Sequence, residues 1–220
     1  MARIEKFKNI HKGDRCFIMG TGPSLNITNL NLICDEILFG VNIFYKTGIP
    51  CKYYGVSDGR VWKVHGDAIT RLSSFLFLSG YAAMYYAANP DLNYTFHRKP
   101  YVLPELPTYE FGKVLFAKDI KDGTYNGQTI IYDVCLQVAY YMGFSKVYLV
   151  GVDADYSGWH HFDESPVENL SGGAAGNWTK VLKAHRLAKQ IYEEDGREIL
   201  NATIGGKLEI YKRVRLEDIV

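Results

Sequence analysis

Charge of neither sign predominates in this chain: 25 Lys and Arg stand against 24 Asp and Glu. So even a balance supplies no general attraction to nucleic acid or to an anionic membrane, and neither is expected as a partner. Long hydrophobic runs are missing as well; none reaches the roughly 20 residues that span a bilayer. The opening stretch, MARIEKFK, is charged where a secretory leader would be apolar. Cysteine is scarce, at positions 16, 34, 51 and 135, with no Cys-x-x-Cys pair. That spacing argues against structural zinc and for a reducing, cytoplasmic setting. Three signatures of defined chemistry are also absent. There is no Gly-Lys-Ser/Thr of a Walker A loop, no third glycine of the dinucleotide fingerprint, and no Gly-x-Ser-x-Gly nucleophile elbow. No repeat, linker or low-complexity segment divides the chain. With 47% hydrophobic and 22% charged residues, its 220 residues predict one α/β domain with a substantial core.

What is present is organised around the first strand and its turn. Residues 16–19 (CFIM) are apolar enough for a buried parallel strand. The run stops at Gly20-Thr21-Gly22-Pro23-Ser24, and Leu25, Ile27, Leu30, Leu32 and Ile33 continue with helical periodicity. A strand, a glycine turn and a helix together present backbone N–H groups to an anion. Gly20 and Gly22 would allow positive φ and the close approach of a phosphate or sugar. Pro23 suits a first helical turn, with Ser24 or Asn26 as its cap. The same residues also make a plain strand-to-helix turn.

Further strands are predicted over 36–41, 52–56, 73–79, 146–152 and 198–202, and helices over 62–72, 81–88, from about 126 to Gly143, and over 178–194. Segments 93–99 and 113–118 also have strand character. The stretch of about 100–125, with Pro100, Pro104 and Pro107, is predicted to be an insertion or lid. Ile130, Val134, Val138 and Tyr141 make a stripe that predicts an amphipathic helix. Segment 157–177, acidic and then rich in Gly and Ala, predicts a mobile loop. In a parallel sheet, ligands bind beyond the carboxyl ends of the strands. Three successive strand ends deliver Gly20–Ser24, Asn42, and Ser57 with Asp58, which predicts one shared site.

The chemistry-bearing residues cluster after the strand at 146–152. Asp153 and Asp155, one residue apart, offer hard oxygen ligands for Mg²⁺ on a nucleotide. His160 and His161 follow on the same loop, and a histidine is a natural general base for a sugar hydroxyl. Adjacent residues of an extended segment point to opposite sides, so only one of the two is expected to face the site.

The blocks GTGPSLN, FGVNIFY, YYGVSD, NGQTIIYDVCLQVAYYMGFSKVYLVGVDADYSG and ILNAT, in that order over residues 15–203, resemble the MptE-like family. That family is named after an archaeal 6-hydroxymethylpterin diphosphokinase. The same order resembles the Maf flagellin glycosyltransferases and the bacterial CMP-sialic-acid sialyltransferases. The resemblance implies a Rossmann-like fold, with a mostly parallel sheet and helices on both faces. It implies a nucleotide site at Gly20, Thr21, Gly22, Pro23, Ser24 and Asn42, with Asp58, Gln128 and Thr129 contributing. Gln128-Thr129 falls where the sialyltransferases carry Thr-Ser-Gly. Their phosphate-contacting tyrosines fall near Asp155 and His160, and their catalytic histidine near Asn177, so a base here must come from His161 or His160. The leading expectation is a glycosyltransferase that moves a CMP-activated, sialic-acid-like sugar to a small-molecule or glycan acceptor, as a monomer or homo-oligomer. The alternative is an MptE-like diphosphokinase using ATP and Mg²⁺ held by Asp153 and Asp155, and a third is a non-catalytic nucleotide-binding module.

Overall fold

A computed structural model describes residues 4–89, 99–108, 113–158, 160–163 and 176–220. Eight parallel strands form one sheet in the order β5-β4-β3-β2-β1-β6-β7-β8. They are β1 (Arg15–Met19), β2 (Leu38–Val41), β3 (Tyr53–Val56), β4 (Phe75–Ser79), β5 (Tyr101–Leu103), β6 (Lys146–Val150), β7 (Glu198–Asn201) and β8 (Lys212–Arg213). Because side chains alternate along a strand, β1 sends Cys16 and Ile18 to one face and Phe17 and Met19 to the other. Helices α1 (Gly59–Thr70) and α2 (Gly80–Ala88) supply Trp62, Ile69 and Ala82 to the core on the Phe17 side. On the opposite face lie α3 (Gln137–Met142), wound as a π-helix over the preceding Ile131–Leu136, and α4 (Trp178–Glu194). The chain is therefore a single α/β unit of Rossmann-like layout, as expected. No helix among the described residues is long and apolar enough to cross a membrane.

Several local expectations are corrected. The periodic stretch after Ser24 is not an α-helix. It forms two 3₁₀ turns, Pro23–Ile27 and Leu30–Ile33, separated by extended backbone at Thr28. The helix running to Gly143 is not amphipathic: every residue from Ile130 to Phe144 is buried. It lies between the sheet, α4 and the irregular segment 113–125, so no face is left for solvent. Segment 113–118 is not a strand, and most of 93–99 lies outside the described residues. The proline-rich excursion instead contributes β5 at the sheet edge, where prolines flanking a strand break no ladder. At the opposite edge β8, within the basic tail, is a strand of two charged residues that the sequence pattern did not indicate.

One buried side chain holds that excursion in place. Gln137 Oε1 accepts from the amides of Ala117 (2.9 Å) and Tyr125 (3.0 Å), while Nε2 donates to the carbonyls of Tyr125 and Tyr132, both at 2.9 Å. A widened π turn leaves carbonyls without their i+4 partners, and Gln137 satisfies one of them. Nearby, Asp133 is buried and accepts from the Gly127 amide at 2.6 Å. Burial pushes its carboxyl up from 3.8 to about 7. The folded protein therefore keeps a proton that the unfolded chain releases, and stability falls as pH rises from about 4 through about 7. Asp133→Asn, which retains the Gly127 acceptor, is expected to flatten that fall and to raise stability above pH 7. Urea titrations at pH 5 and pH 8 check this; an equal pH dependence in the variant would refute it.

Candidate functional site

Strand order reverses direction between β1 and β6, the kind of switch point beyond which ligands bind in open parallel sheets. A cavity of about 270 Å³ opens there. Gly20, Thr21 and Gly22 line it, together with Asn42, Asp58, Gln128, Thr129, Asp153, Asp155, His160 and His161. All of these were expected from the sequence, and the fold brings them to one place. Pro23 and Ser24 do not line it: Pro23 opens the 3₁₀ turn, and Ser24 is turned toward Asp153.

The glycines do a different job from the one their pattern indicates. Neither Gly20 nor Gly22 has positive φ. A Cβ on Gly20 would sit 2.2 Å from the Gly151 carbonyl oxygen, and one on Gly22 would sit 1.9 Å from Asp153 Oδ2. What approaches this turn is the loop after β6. The amides of Gly20 and Gly22 donate to Val150 and Gly151, and the Asp153 carboxyl accepts from Ser24 N (3.1 Å) and Ser24 Oγ (2.7 Å). The protein's own carboxyl thus holds the donors that would face a phosphate. Burial raises the Asp153 pKa, opposed by the two Ser24 bonds. Asp153 is also gripped from the far side, where the Lys207 amide donates to its carbonyl at 2.7 Å beside Gly206.

These contacts bear on the expected Mg²⁺ site. Both Asp153 oxygens are engaged by Ser24, while Asp155 accepts from Lys207 Nζ (2.9 Å) and Ser157 Oγ (2.7 Å). Lys207 and the Ser157 bonds hold Asp155 down at about 2. A carboxylate whose partner is an ammonium is a poor seat for a divalent cation, so the pair does not fit a resident Mg²⁺. Among the described residues, no group of three or more His, Cys, Asp or Glu is placed to hold a metal.

His160 and His161 both line the cavity, against the expectation that only one would. Segment 160–163 is bent rather than extended, so the alternation of an extended chain does not apply. Nor is this part of the segment loosely held. Thr21 Oγ1 and His161 Nδ1 are 2.8 Å apart, the Phe162 amide donates to the Thr21 carbonyl (2.8 Å), Asn26 donates to the Phe162 carbonyl (3.1 Å), and Lys46 pairs with Asp163 (2.6 Å). Residues 164–175 of the expected mobile loop lie outside the described residues.

Backbone strain concentrates here. Asn42 (φ 47°), Gln128 (φ 75°) and Ala154 (φ 52°) are three of the four non-glycine residues with positive φ among the described residues, and all three line the cavity. Such conformations cost about 1–3 kcal/mol each and gather at functional sites. The Asn42 Oδ1 atom is buried with no hydrogen-bond partner among the described residues, an acceptor for which a ligand donor would account. Gln128 is held by Asn126, and its Oε1 accepts from Asn177 Nδ2 at 3.1 Å.

Arg60, His65 and His185 also line the cavity and escaped the sequence reading. Asp58 caps α1 through the Arg60 amide (2.8 Å) and grips the Arg60 guanidinium (2.7 Å) at the cavity wall. Burial raises the Asp58 pKa, but the Arg60 contacts outweigh it and leave the carboxyl below its ordinary value. With α1 starting at Gly59, residues 60, 61, 64 and 65 share the cavity-facing side, which places His65 there also; starting the helix at 62 hid this. His185 interrupts the apolar stripe of α4 and lies buried at the cavity wall. A histidine within an apolar helical stripe was the available signal. No protein-family model and no curated protein matches the chain.

Because Gly22 makes room for Asp153, Gly22→Ala is expected to lower Tm by expelling the carboxyl from Ser24, at a cost of about 1–3 kcal/mol. In Asp153→Ala the same glycine substitution should cost markedly less. A double-mutant cycle of thermal melts reads the coupling, and strictly additive losses would rule out the packing role.

Proposed function

We propose that the chain is a metal-independent transferase using a nucleotide-activated donor, most specifically a glycosyltransferase that moves a CMP-activated, sialic-acid-like sugar onto a hydroxyl-bearing acceptor. The observation that carries this reading is the Thr21–His161 hydrogen bond inside the cavity at the β1/β6 switch point. When Nδ1–H donates to Thr21, the other ring nitrogen, Nε2, has the lone pair of a general base. In this scheme the acceptor oxygen bonds to the anomeric carbon and its proton passes to Nε2. The carbon–oxygen bond to the phosphate breaks, and its electron pair leaves with CMP. The Gly20 and Gly22 amides and both Ser24 donors are already engaged, so in this scheme the departing phosphate charge falls to Arg60, whose guanidinium Asp58 holds at the cavity wall. The engagement of Asp153 and Asp155 by Ser24 and Lys207 weighs against the ATP- and Mg²⁺-dependent diphosphokinase. The kinship with MptE-like and Maf-type proteins belongs to this proposal and rests on the shared blocks of sequence.

A thermal-shift panel of CMP, CDP, UDP, GDP, ADP and ATP tests the donor. CMP is expected to raise Tm equally in EDTA and in Mg²⁺, whereas a shift confined to ATP with Mg²⁺ would favour the diphosphokinase. His161→Ala should cut turnover by about 10²–10⁴-fold with donor affinity nearly unchanged; full activity in that variant would remove the assigned base. Arg60→Gln should weaken CMP about tenfold while leaving uncharged cytidine unaffected, the loss of one charge-assisted contact. Equal weakening of both ligands would take Arg60 off the phosphate.

A further inference from the structure

A second Thr–His pair faces the cavity, and its hydrogen-bond directions can be worked out. His185 is buried at the base of the cavity wall, with Nε2 3.4 Å from Thr129 Oγ1 and Nδ1 2.8 Å from the Tyr211 hydroxyl. The Tyr211 hydroxyl has a single hydrogen, and it donates to the His185 carbonyl at 3.2 Å. With that hydrogen on the carbonyl rather than on the nearer Nδ1, Tyr211 accepts from the ring, Nδ1 is the protonated nitrogen and Nε2 keeps a lone pair. With Nε2 unprotonated, the Thr129 hydroxyl, which also accepts from the Tyr132 amide at 3.3 Å, is the donor to it. Burial holds the ring neutral by lowering its pKa to about 4, so no second N–H is added at physiological pH. The result is a hydroxyl that lines the cavity with its hydrogen turned away from it.

We propose that His185, fixed by Tyr211, is a positioning residue that makes Thr129 an acceptor toward the cavity, so that the ligand group at Thr129 is an N–H or O–H donor and not a phosphate or carboxylate oxygen. The donor is either a sugar hydroxyl or the amino group of a base. A neutral Thr–His pair discriminates between these and an anion because an oxygen lone pair meeting another lone pair is repelled, while the buried imidazole has no second proton to release. This assignment separates the cavity into an anion side at Arg60 and a donor-reading side at Thr129. The choice of nucleotide probes rests on the transferase reading above; the tautomer does not.

Two measurements test it. ¹⁵N NMR of the imidazole nitrogens in the ligand-free protein is expected to find His185 as the Nδ1–H tautomer from pH 8 down to about 5, and Tyr211→Phe is expected to shift it toward Nε2–H. A wild-type ring in the Nε2–H form overturns the proposal whatever the cavity binds. Calorimetry then compares CMP, 2′-deoxy-CMP and UMP on wild type, Thr129→Val, Thr129→Ser and Tyr211→Phe. If Thr129 reads the ribose hydroxyl, Thr129→Val lowers CMP affinity about five- to tenfold and leaves 2′-deoxy-CMP unchanged. If it reads the base amine, the same loss appears for CMP and not for UMP. Thr129→Ser should restore the wild-type ratios, and Tyr211→Phe should reproduce the Thr129→Val ratios without touching the cavity. Ratios that stay at wild type in both Thr129→Val and Tyr211→Phe, while CMP still binds, overturn it; a merely structural Tyr211 would lower Tm and leave them fixed. Failure of wild type to bind any of the three nucleotides refutes the transferase reading, and the tautomer then decides the proposal by itself.

Discussion

The carboxyl of Asp153 is the joint on which the site depends. It closes the turn after β1 through Ser24, while its own carbonyl is held by the turn after β7 through Lys207. Three strand ends are thereby tied together at the place where the strand order reverses, and the cavity lies beside them. Two glycines serve this joint: Gly22 leaves room for the carboxyl and Gly206 for the Asp153 backbone. The strained Ala154 follows directly, since the chain must turn sharply once Asp153 has been gripped on both sides.

Much of this was legible in the sequence for a simple reason. A parallel sheet buried on both faces writes its strands as short apolar runs, and small or polar residues at their carboxyl ends mark the crevice. The strand ends carrying Gly20, Asn42 and Asp58 and the loop from Asp153 to His161 were found in this way. What could not be read was which partner each group takes. Gly-x-Gly has the same appearance whether a phosphate or an aspartate approaches it, and Asp-x-Asp the same whether a cation or a lysine sits beside it. The 3₁₀ turns after Ser24 were hidden because residues 25–33 have helical periodicity but only enough length, broken at Thr28, for two short turns. The helix at 131–142 was misjudged because its polar members, Asp133 and Gln137, are satisfied internally and never reach water.

The two Thr–His pairs differ in a way that matters for chemistry. His161 lies on a strapped surface segment and reaches Thr21 from outside the core, whereas His185 is part of a helix and enclosed on every side. Burial holds His185 neutral, and its contacts with Tyr211 and Thr129 tie down both ring nitrogens.

Gln137 has a consequence for how this chain can vary in length. Between β5 and the buried helix, the amides of Ala117 and Tyr125 are tied to that one side chain, and the Glu105–Thr124 bridge closes the base of the excursion. Just upstream, the Tyr132 hydroxyl holds the Leu115 carbonyl and Phe116 packs on Tyr132, Tyr140 and Tyr192; a single residue added between Ala117 and Tyr125 would push one of the two amides off the shared oxygen. The inner arc of the excursion is therefore fixed in register by a glutamine rather than by any strand.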